Sequence, residues 1–276
     1  MSTKRIRQIN VIELDQAMYS STYEVGLEMA NWLNASMHVC MLETKEQKAY
    51  LNEIYGIDKN RSHIINRDQV EEIIKKVQKS NGLLDLGFSI EHFDEEDSIE
   101  RVFKELSIDE SLSVLGYNKS TKHKEVLKKL LKVDFDNPLL LVPMGKTLKT
   151  FHKIIVPFEP EFVTKRKLEK LKWYTEQLGV MIDFVHFKKK GESREMGRYN
   201  HLYETIFSWV DELKFNSEVK FRFPKSDNLN SGLTEYIKDK DNYLLCVIDS
   251  HIRASLSTSK NNKECLMDIK EPVVIL

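Results

Sequence analysis

Glycine is scarce in this sequence, and it is missing where tight turns around a phosphate would need it. The chain has 10 glycines in 276 residues. None lies between Gly116 and Gly145, and none follows Gly232. Glycine permits tight turns and lets backbone N–H groups approach phosphate oxygens closely. A glycine-rich phosphate cradle is therefore excluded from both of these stretches.

Cysteine, long apolar runs and excess charge are also missing. The three cysteines, Cys40, Cys246 and Cys265, are widely spaced and form no CxxC pair, so neither a disulfide framework nor a zinc site is indicated. No stretch approaches the roughly 20 apolar residues that span a bilayer, and the N-terminus lacks the features of a signal peptide. The net charge of −1 argues against a dedicated nucleic-acid binder. We expect a cytoplasmic protein with no membrane or nucleic-acid partner.

What the chain does contain is a regular alternation of short apolar runs and amphipathic stretches. In the first half, strands are predicted at 9–14, 37–42, 84–93, 112–117 and 138–143, and helices at 21–34, 68–80, 97–107 and 121–133. In the second half, strands are predicted at 153–158, 180–187, 218–223, 243–249 and 272–276, and helices at 161–178, 197–214, 229–238 and 259–269. Strands rich in Val, Ile and Leu that alternate with helices indicate an α/β fold around parallel sheets.

The two halves share more than the order of their elements. Each ends on a Pro-led strand, in "DNPLLLV" and "KEPVVIL", and "NWLNASMHV" in the first half resembles "TEQLGVMID" in the second. These matches predict a duplication with one domain at 1–147 and another at 148–276. Gly145 and the polar residues after it separate the two halves.

A five-stranded α/β unit that opens with "NVIELD" and closes with "NPLLLVP" resembles a universal stress protein domain. Two such units in one chain resemble the tandem universal stress proteins. The resemblance implies two Rossmann-like domains of the adenine nucleotide alpha hydrolase type, each with a five-stranded parallel sheet flanked by helices. It also implies that the closing strands help to pair the halves as an intramolecular pseudo-dimer, and a further homodimer stays open.

Ligands of doubly wound sheets bind at the carboxyl ends of the strands, where the strand order reverses. Family members that bind ATP carry an aspartate after the first strand, which corresponds to Asp15 here and to Glu159 in the second half. The same members carry Gly-x2-Gly, nine residues and Gly-Ser or Gly-Thr after the fourth strand. This chain has Gly116, but Lys119 and Lys129 follow it at the glycine positions. In the second half, Asp249 and Ile252 correspond to the first two glycines, and an acidic residue there repels phosphate.

A residual nucleotide site can still be built in the first half from side chains at a helix N-terminus. Its candidate cofactor-binding residues are Asp15, Gly116, Lys119, Ser120 and Lys122. The competing interpretation is a solvated turn that enters a Lys-rich amphipathic helix, whose apolar stripe is Val126, Leu127, Leu130 and Leu131.

No catalytic motif and no metal site accompany this pattern. Asp183 with His186, and Asp249 with His251, are the nearest acid–base pairs, but nothing like a GxSxG motif supplies a nucleophile. We therefore expect a regulatory or protective protein, not an enzyme, with no cofactor, that acts through unknown protein partners or an unidentified ligand. The alternatives are a tandem protein that binds ATP in its first half, an interaction scaffold, and a small-molecule sensor whose crevice is lined by Tyr117, His186 and His251.

Overall fold

The computed structural model describes most of the chain. The described residues are 5–13, 20–42, 59–83, 85–93, 110–117, 137–148, 151–188, 196–226, 228–249, 251–253 and 271–276, together with Val102, Leu106, Leu127, Leu130 and Leu131. The chain divides into two compact units, Met1–Leu148 and Lys149–Leu276. The predicted domain boundary lies after residue 147, beside this division.

The first unit is a parallel sheet with helices between its strands. Its elements are β1 (Gln8–Glu13), α1 (Ser20–Leu33), β2 (Ser36–Leu42), α2 (Lys59–Asn81), β3 (Phe88–Phe93), β4 (Ser111–Tyr117) and β5 (Leu139–Pro143). The strands lie in the order β3-β2-β1-β4-β5, and each neighbouring pair is parallel. The strand order therefore reverses between β1 and β4.

Two described elements of the first unit differ from their predicted bounds by more than one residue. The helix predicted from residue 68 begins at Lys59, because no glycine or proline lies between these two positions to interrupt it. The strand predicted from residue 84 begins at Phe88 instead. Gly82 ends α2 with a φ of 69°, and the N–H of Leu83 donates to the Gln78 carbonyl at 2.9 Å, so the next residues form a turn.

The predicted helices at 97–107 and 121–133 fall largely outside the described residues. Val102 and Leu106 of the first, and Leu127 and Leu130 of the second, are helical and buried. Leu131 is buried as well, so the described part of the predicted apolar stripe lies in the core.

The second unit has the same arrangement. Its elements are β6 (Lys153–Pro157), a 3-10 turn (Pro160–Phe162), α3 (Lys165–Leu178), β7 (Met181–Val185), α4 (Met196–Leu213), β8 (Val219–Arg222), α5 (Leu229–Ile237), β9 (Tyr243–Val247) and β10 (Val273–Ile275). The parallel strands lie in the order β10-β9-β6-β7-β8. This order reverses between β6 and β9, so both units place their first and fourth strands side by side.

Capping residues set the helix ends of the second unit. The helix predicted at 161–178 is split, because Thr164 caps α3 by accepting a hydrogen bond from the Lys167 N–H at 3.4 Å. Gly179 ends α3 in the left-handed conformation, with a φ of 63°. Asn228 caps α5 through the Ser231 N–H at 2.8 Å. Within the described part of the chain, no helix has the length and apolar character needed to span a membrane. The predicted α/β class with parallel sheets is confirmed.

Candidate functional site

The carboxyl ends of β1 and β4 meet at the N-terminus of α1 in the first unit. Parallel pairing sets Ile12 beside Leu115, so both strands end at this edge of the sheet. The first turn of α1 is buried here. Ser21 accepts a hydrogen bond from the Gly145 N–H at 3.2 Å, which ties α1 to the turn after β5.

Gly116 is the one predicted cofactor-binding residue that the structure describes, and it packs against α1. A methyl group at Gly116 would lie 3.1 Å from both Cβ and Cγ2 of Thr22, and closer still to its Oγ1. Real Cβ atoms do not approach other heavy atoms that closely without displacing them. Helix packing is therefore enough to require glycine at this position. The other predicted residues, Asp15, Lys119, Ser120 and Lys122, lie outside the described residues.

In the second unit a buried carboxyl group follows the fourth strand. Asp249 follows β9 at the reversal of strand order and is 0% exposed. Its Oδ1 accepts a hydrogen bond from the His251 backbone N–H at 2.6 Å. Backbone N–H groups after the fourth strand are the donors that a phosphate cradle would use. Here a side chain of the protein already occupies one of them.

Strand register refines the position of this aspartate. The sequence pattern predicts that Asp249 of the second half corresponds to Gly116 of the first. Leu115 pairs with Leu141 of β5, and Val247 pairs with Ile275 of β10. If the two Pro-led closing strands correspond, the counterpart of Gly116 is Ile248, one residue earlier than predicted. Neither residue is a glycine, so the conclusion about the phosphate cradle is unchanged.

An aromatic stack connects the two loops that flank this site. Phe162 lies in the 3-10 turn after β6, and His251 lies in the short helical turn after β9. Their rings are stacked with centroids 4.6 Å apart and an angle of 8° between the planes. The described loops of the second unit therefore contact each other at the strand-order reversal. His251 contacts a ring with its side chain and Asp249 with its backbone, so this pair is not an acid–base pair.

His186 and Glu159 form a second polar group at the ends of β7 and β6. His186 is buried and donates from Nδ1 to the Phe158 carbonyl at 3.1 Å, which leaves Nε2 as the acceptor of the neutral ring. A carboxylate oxygen of Glu159 lies 3.5 Å from the same Nδ1. Burial lowers the pKa of His186, the hydrogen bond to Phe158 opposes this shift, and the nearby Lys188 adds to it. A neutral imidazole therefore prevails at neutral pH.

Aromatic side chains of α4 cover His186. The rings of Tyr199 and Tyr203 lie 5.6 Å and 5.9 Å from the imidazole. Burial, together with the charges of Tyr199 and Glu159, raises the pKa of Tyr203 to about 12, so its hydroxyl stays protonated. The Lys188 Nζ atom lies 4.6 Å from the ring centroid of Phe223 and 5.8 Å from that of Tyr203. The two tyrosines were not among the predicted site residues, although their spacing of four residues on a predicted helix places them on one face.

Asp183 and His186 do not form a pair, because successive residues of a strand face opposite sides of the sheet and these two are three residues apart. Asp183 is buried on the α5 side, where Lys153 and the Tyr236 hydroxyl each lie 3.5 Å from its Oδ2. Of the residues assigned to a sensor crevice, His186 and His251 lie in the second unit and Tyr117 ends β4 of the first. Over the residues that the structure describes, no group of three or more His, Cys, Asp and Glu is placed to hold a metal ion.

Comparisons with known proteins show the fold. No protein-family model matches the chain. No curated protein matches it. A universal stress protein from Archaeoglobus fulgidus DSM 4304 superposes with a TM-score of 0.59 at 13% identity, covering 98% of this chain and 96% of that one. A functionally unknown protein from Pseudomonas aeruginosa PAO1 gives 0.54 at 13% identity, with 98% and 92% covered. The chain therefore shares the fold of these two structures.

Proposed function

We propose that the chain is a universal stress protein-like regulatory or protective protein that does not depend on ATP. It acts through protein contacts or through a ligand other than a nucleoside triphosphate, and it belongs to the tandem branch of that family. The fold shared with the Archaeoglobus fulgidus universal stress protein supports the family. The identical strand order of the two units supports their origin by duplication. Pairing of the halves as a pseudo-dimer stays a prediction.

One observation carries the proposal. Asp249 places a fully buried carboxyl group at the strand-order reversal of the second unit, and its Oδ1 accepts a hydrogen bond from the His251 N–H at 2.6 Å. A polyphosphate would have to displace this carboxylate or lie beside it, and like charges a few ångströms apart repel strongly when little water screens them. ATP binding in the second unit is disfavoured for this reason. In the first unit, the sequence disfavours ATP binding, because it has no glycine from 117 to 144 to form a phosphate cradle.

A calorimetric titration of the protein with Mg-ATP at physiological ionic strength tests the proposal. We expect no binding tighter than about 100 μM, which corresponds to roughly −5.5 kcal/mol. Tighter binding would favour the alternative of an ATP-binding tandem protein with its site in the first half. In that case Lys119→Ala and Asp15→Ala would weaken binding. Lys75→Ala would not, because Lys75 lies on the exposed side of α2 in an ion pair with Glu71.

The small-molecule sensor is a second candidate, and the group around His186 favours it. A neutral buried imidazole, a carboxylate and two phenols converge at one end of the second sheet. Binding pockets are typically apolar surfaces with a few such polar groups. Adenosine distinguishes this candidate from the ATP alternative, because it has a base and a ribose but no phosphate. A sensor of this type would be stabilised thermally by adenosine, and the His186→Asn variant would not. No stabilisation of the wild type would exclude adenosine as its ligand.

A further inference from the structure

Three polar side chains of β2 and β3 form a hydrogen-bonded series away from the strand-end site. His38 lies on β2, and Ser89 and Glu91 lie on β3. Parallel register pairs His38 with Ser89, and Glu91 follows two residues later, so the three side chains share one face of the sheet. Ser89 Oγ is 2.6 Å from His38 Nδ1. Glu91 Oε2 is 3.0 Å from His38 Nε2.

A single tautomer of His38 satisfies both contacts. An ionised carboxylate can only accept, so Nε2 carries the proton and donates to Glu91. Nδ1 then presents a lone pair and accepts from the Ser89 hydroxyl. A hydroxyl held by an imidazole, which a carboxylate orients in turn, is the arrangement that activates serine as a nucleophile. The two ring nitrogens exchange their usual roles here, but the chain of donors and acceptors is the same.

The exposure of the three residues suits this chemistry. Ser89 is exposed, so a substrate can reach its hydroxyl. The His38 side chain is only 17% exposed, so neighbouring groups restrict the orientation of its imidazole. The Glu91 side chain is 55% exposed and remains hydrated. His186 offers a contrast, because its Nδ1 is bound to a backbone carbonyl and not to a hydroxyl. Over the residues that the structure describes, His38 has a serine hydroxyl within hydrogen-bond distance of its ring and His186 does not.

We propose that Ser89 is a nucleophile that carboxylic esters acylate, with His38 as its general base and Glu91 as a positioning residue. Ser89 Oγ attacks the ester carbonyl carbon, and its proton passes to His38 Nδ1. The bond to the leaving alcohol breaks, and the alcohol takes that proton from His38. Water then attacks the acyl-serine with His38 again as base, releasing the acid and restoring Ser89. This activity goes beyond the regulatory role proposed above and departs from the expectation of no catalytic residue.

Acylation by p-nitrophenyl acetate tests the proposal on the full chain. We expect p-nitrophenolate release and an acetyl group on the Ser89 peptide, detected by mass spectrometry. Ser89→Ala should abolish both. Ser80→Ala is the matched control, because the Ser80 hydroxyl is exposed and donates to the Lys76 carbonyl at 3.0 Å, with no imidazole. His38→Ala should slow acylation about 100-fold, the lower range of general-base catalysis.

Glu91 needs a readout that a purely structural role would not change. Glu91→Gln should slow acylation without changing the thermal melting temperature, and Glu91→Asp should restore part of the rate. The proposal is overturned if Ser89→Ala retains the wild-type rate, or if the acetyl group appears on Ser80 as readily as on Ser89. The three side chains would then be an ordinary cross-strand hydrogen-bond series.

Discussion

Replacing Gly116 with alanine tests whether packing or ligand binding requires this glycine. Gly116 is the only glycine of the ATP-binding pattern that the first half retains. Its backbone lies against Thr22, which is 1% exposed on the first turn of α1. An added methyl would meet Cβ and Cγ2 of Thr22 at 3.1 Å, and Oγ1 closer still. We expect α1 to be pushed away from β4 or Thr22 to leave its rotamer.

The expected magnitude follows from this geometry. Overpacking a tight core site costs about 1–3 kcal/mol, and three contacts on one rigid helix place Gly116→Ala near the upper end. Thr22→Ala removes Oγ1 and Cγ2, so only the contact with Cβ at 3.1 Å remains. That single change costs about 1 kcal/mol for the lost buried methyl. The double variant should therefore be more stable than the sum of the single changes by about 1–2 kcal/mol.

Urea unfolding followed by circular dichroism measures these differences. A loss of about 3 kcal/mol shifts the midpoint by roughly 1.5 M if the slope is about 2 kcal/mol per M. Gly87→Ala is the control in the same unit, because a methyl there meets no atom within 4 Å. It should change the free energy of unfolding by no more than about 0.5 kcal/mol. Packing does not require this glycine if Gly116→Ala lowers the free energy of unfolding no more than Gly87→Ala does. The same follows if adding Thr22→Ala to Gly116→Ala recovers none of the lost stability.

Three further predictions concern titratable groups. The pKa of His186 is lowered in the folded protein, so between that lowered value and about pH 6.5 the unfolded chain binds more protons than the folded one. The free energy of unfolding should therefore fall as the pH drops below about 6.5. Urea midpoints measured from about pH 7.5 to about pH 5 should show less of this fall in His186→Asn, and equal curves would contradict the assignment. Burial and then Asp183 raise the pKa of Tyr236, so Asp183→Asn should lower it in an ultraviolet titration, whereas an unchanged value would refute this cause. Burial raises the thiol pKa of Cys40 and Cys246, so iodoacetamide should modify them far more slowly in the native protein than in urea, as peptide mass spectrometry can check.

The fold could be predicted because its determinants are local in the sequence. An apolar run of suitable length predicted the place of each described strand, and a polar residue or a glycine marked most helix ends. Thr164 illustrates the limit of this reasoning. The pattern at 161–178 is continuous, and only the cap geometry divides it into a 3-10 turn and α3. The chain around a threonine decides whether its hydroxyl caps a helix, and the residue type alone does not.

The candidate site was less predictable, because its contacts join residues far apart in the chain. Phe162 and His251 stack only because β6 and β9 are neighbours in the sheet. Ser89 meets His38 only in the observed register, and a shift of one residue would turn it to the other face. Residue types near a strand end could be listed from the sequence, but the partner of each side chain could not.

The carboxyl end of the fourth strand differs between the two units, and the difference bears on where ATP could bind. In the first, Gly116 persists but a helix packs on it. In the second, the Asp249 side chain is buried at the strand-order reversal and its Oδ1 accepts a hydrogen bond from the His251 N–H. Because Asp249 is part of the chain, its contact with His251 does not depend on the nucleotide concentration of the cell. We therefore predict that any response of this protein to ATP arises in the first unit.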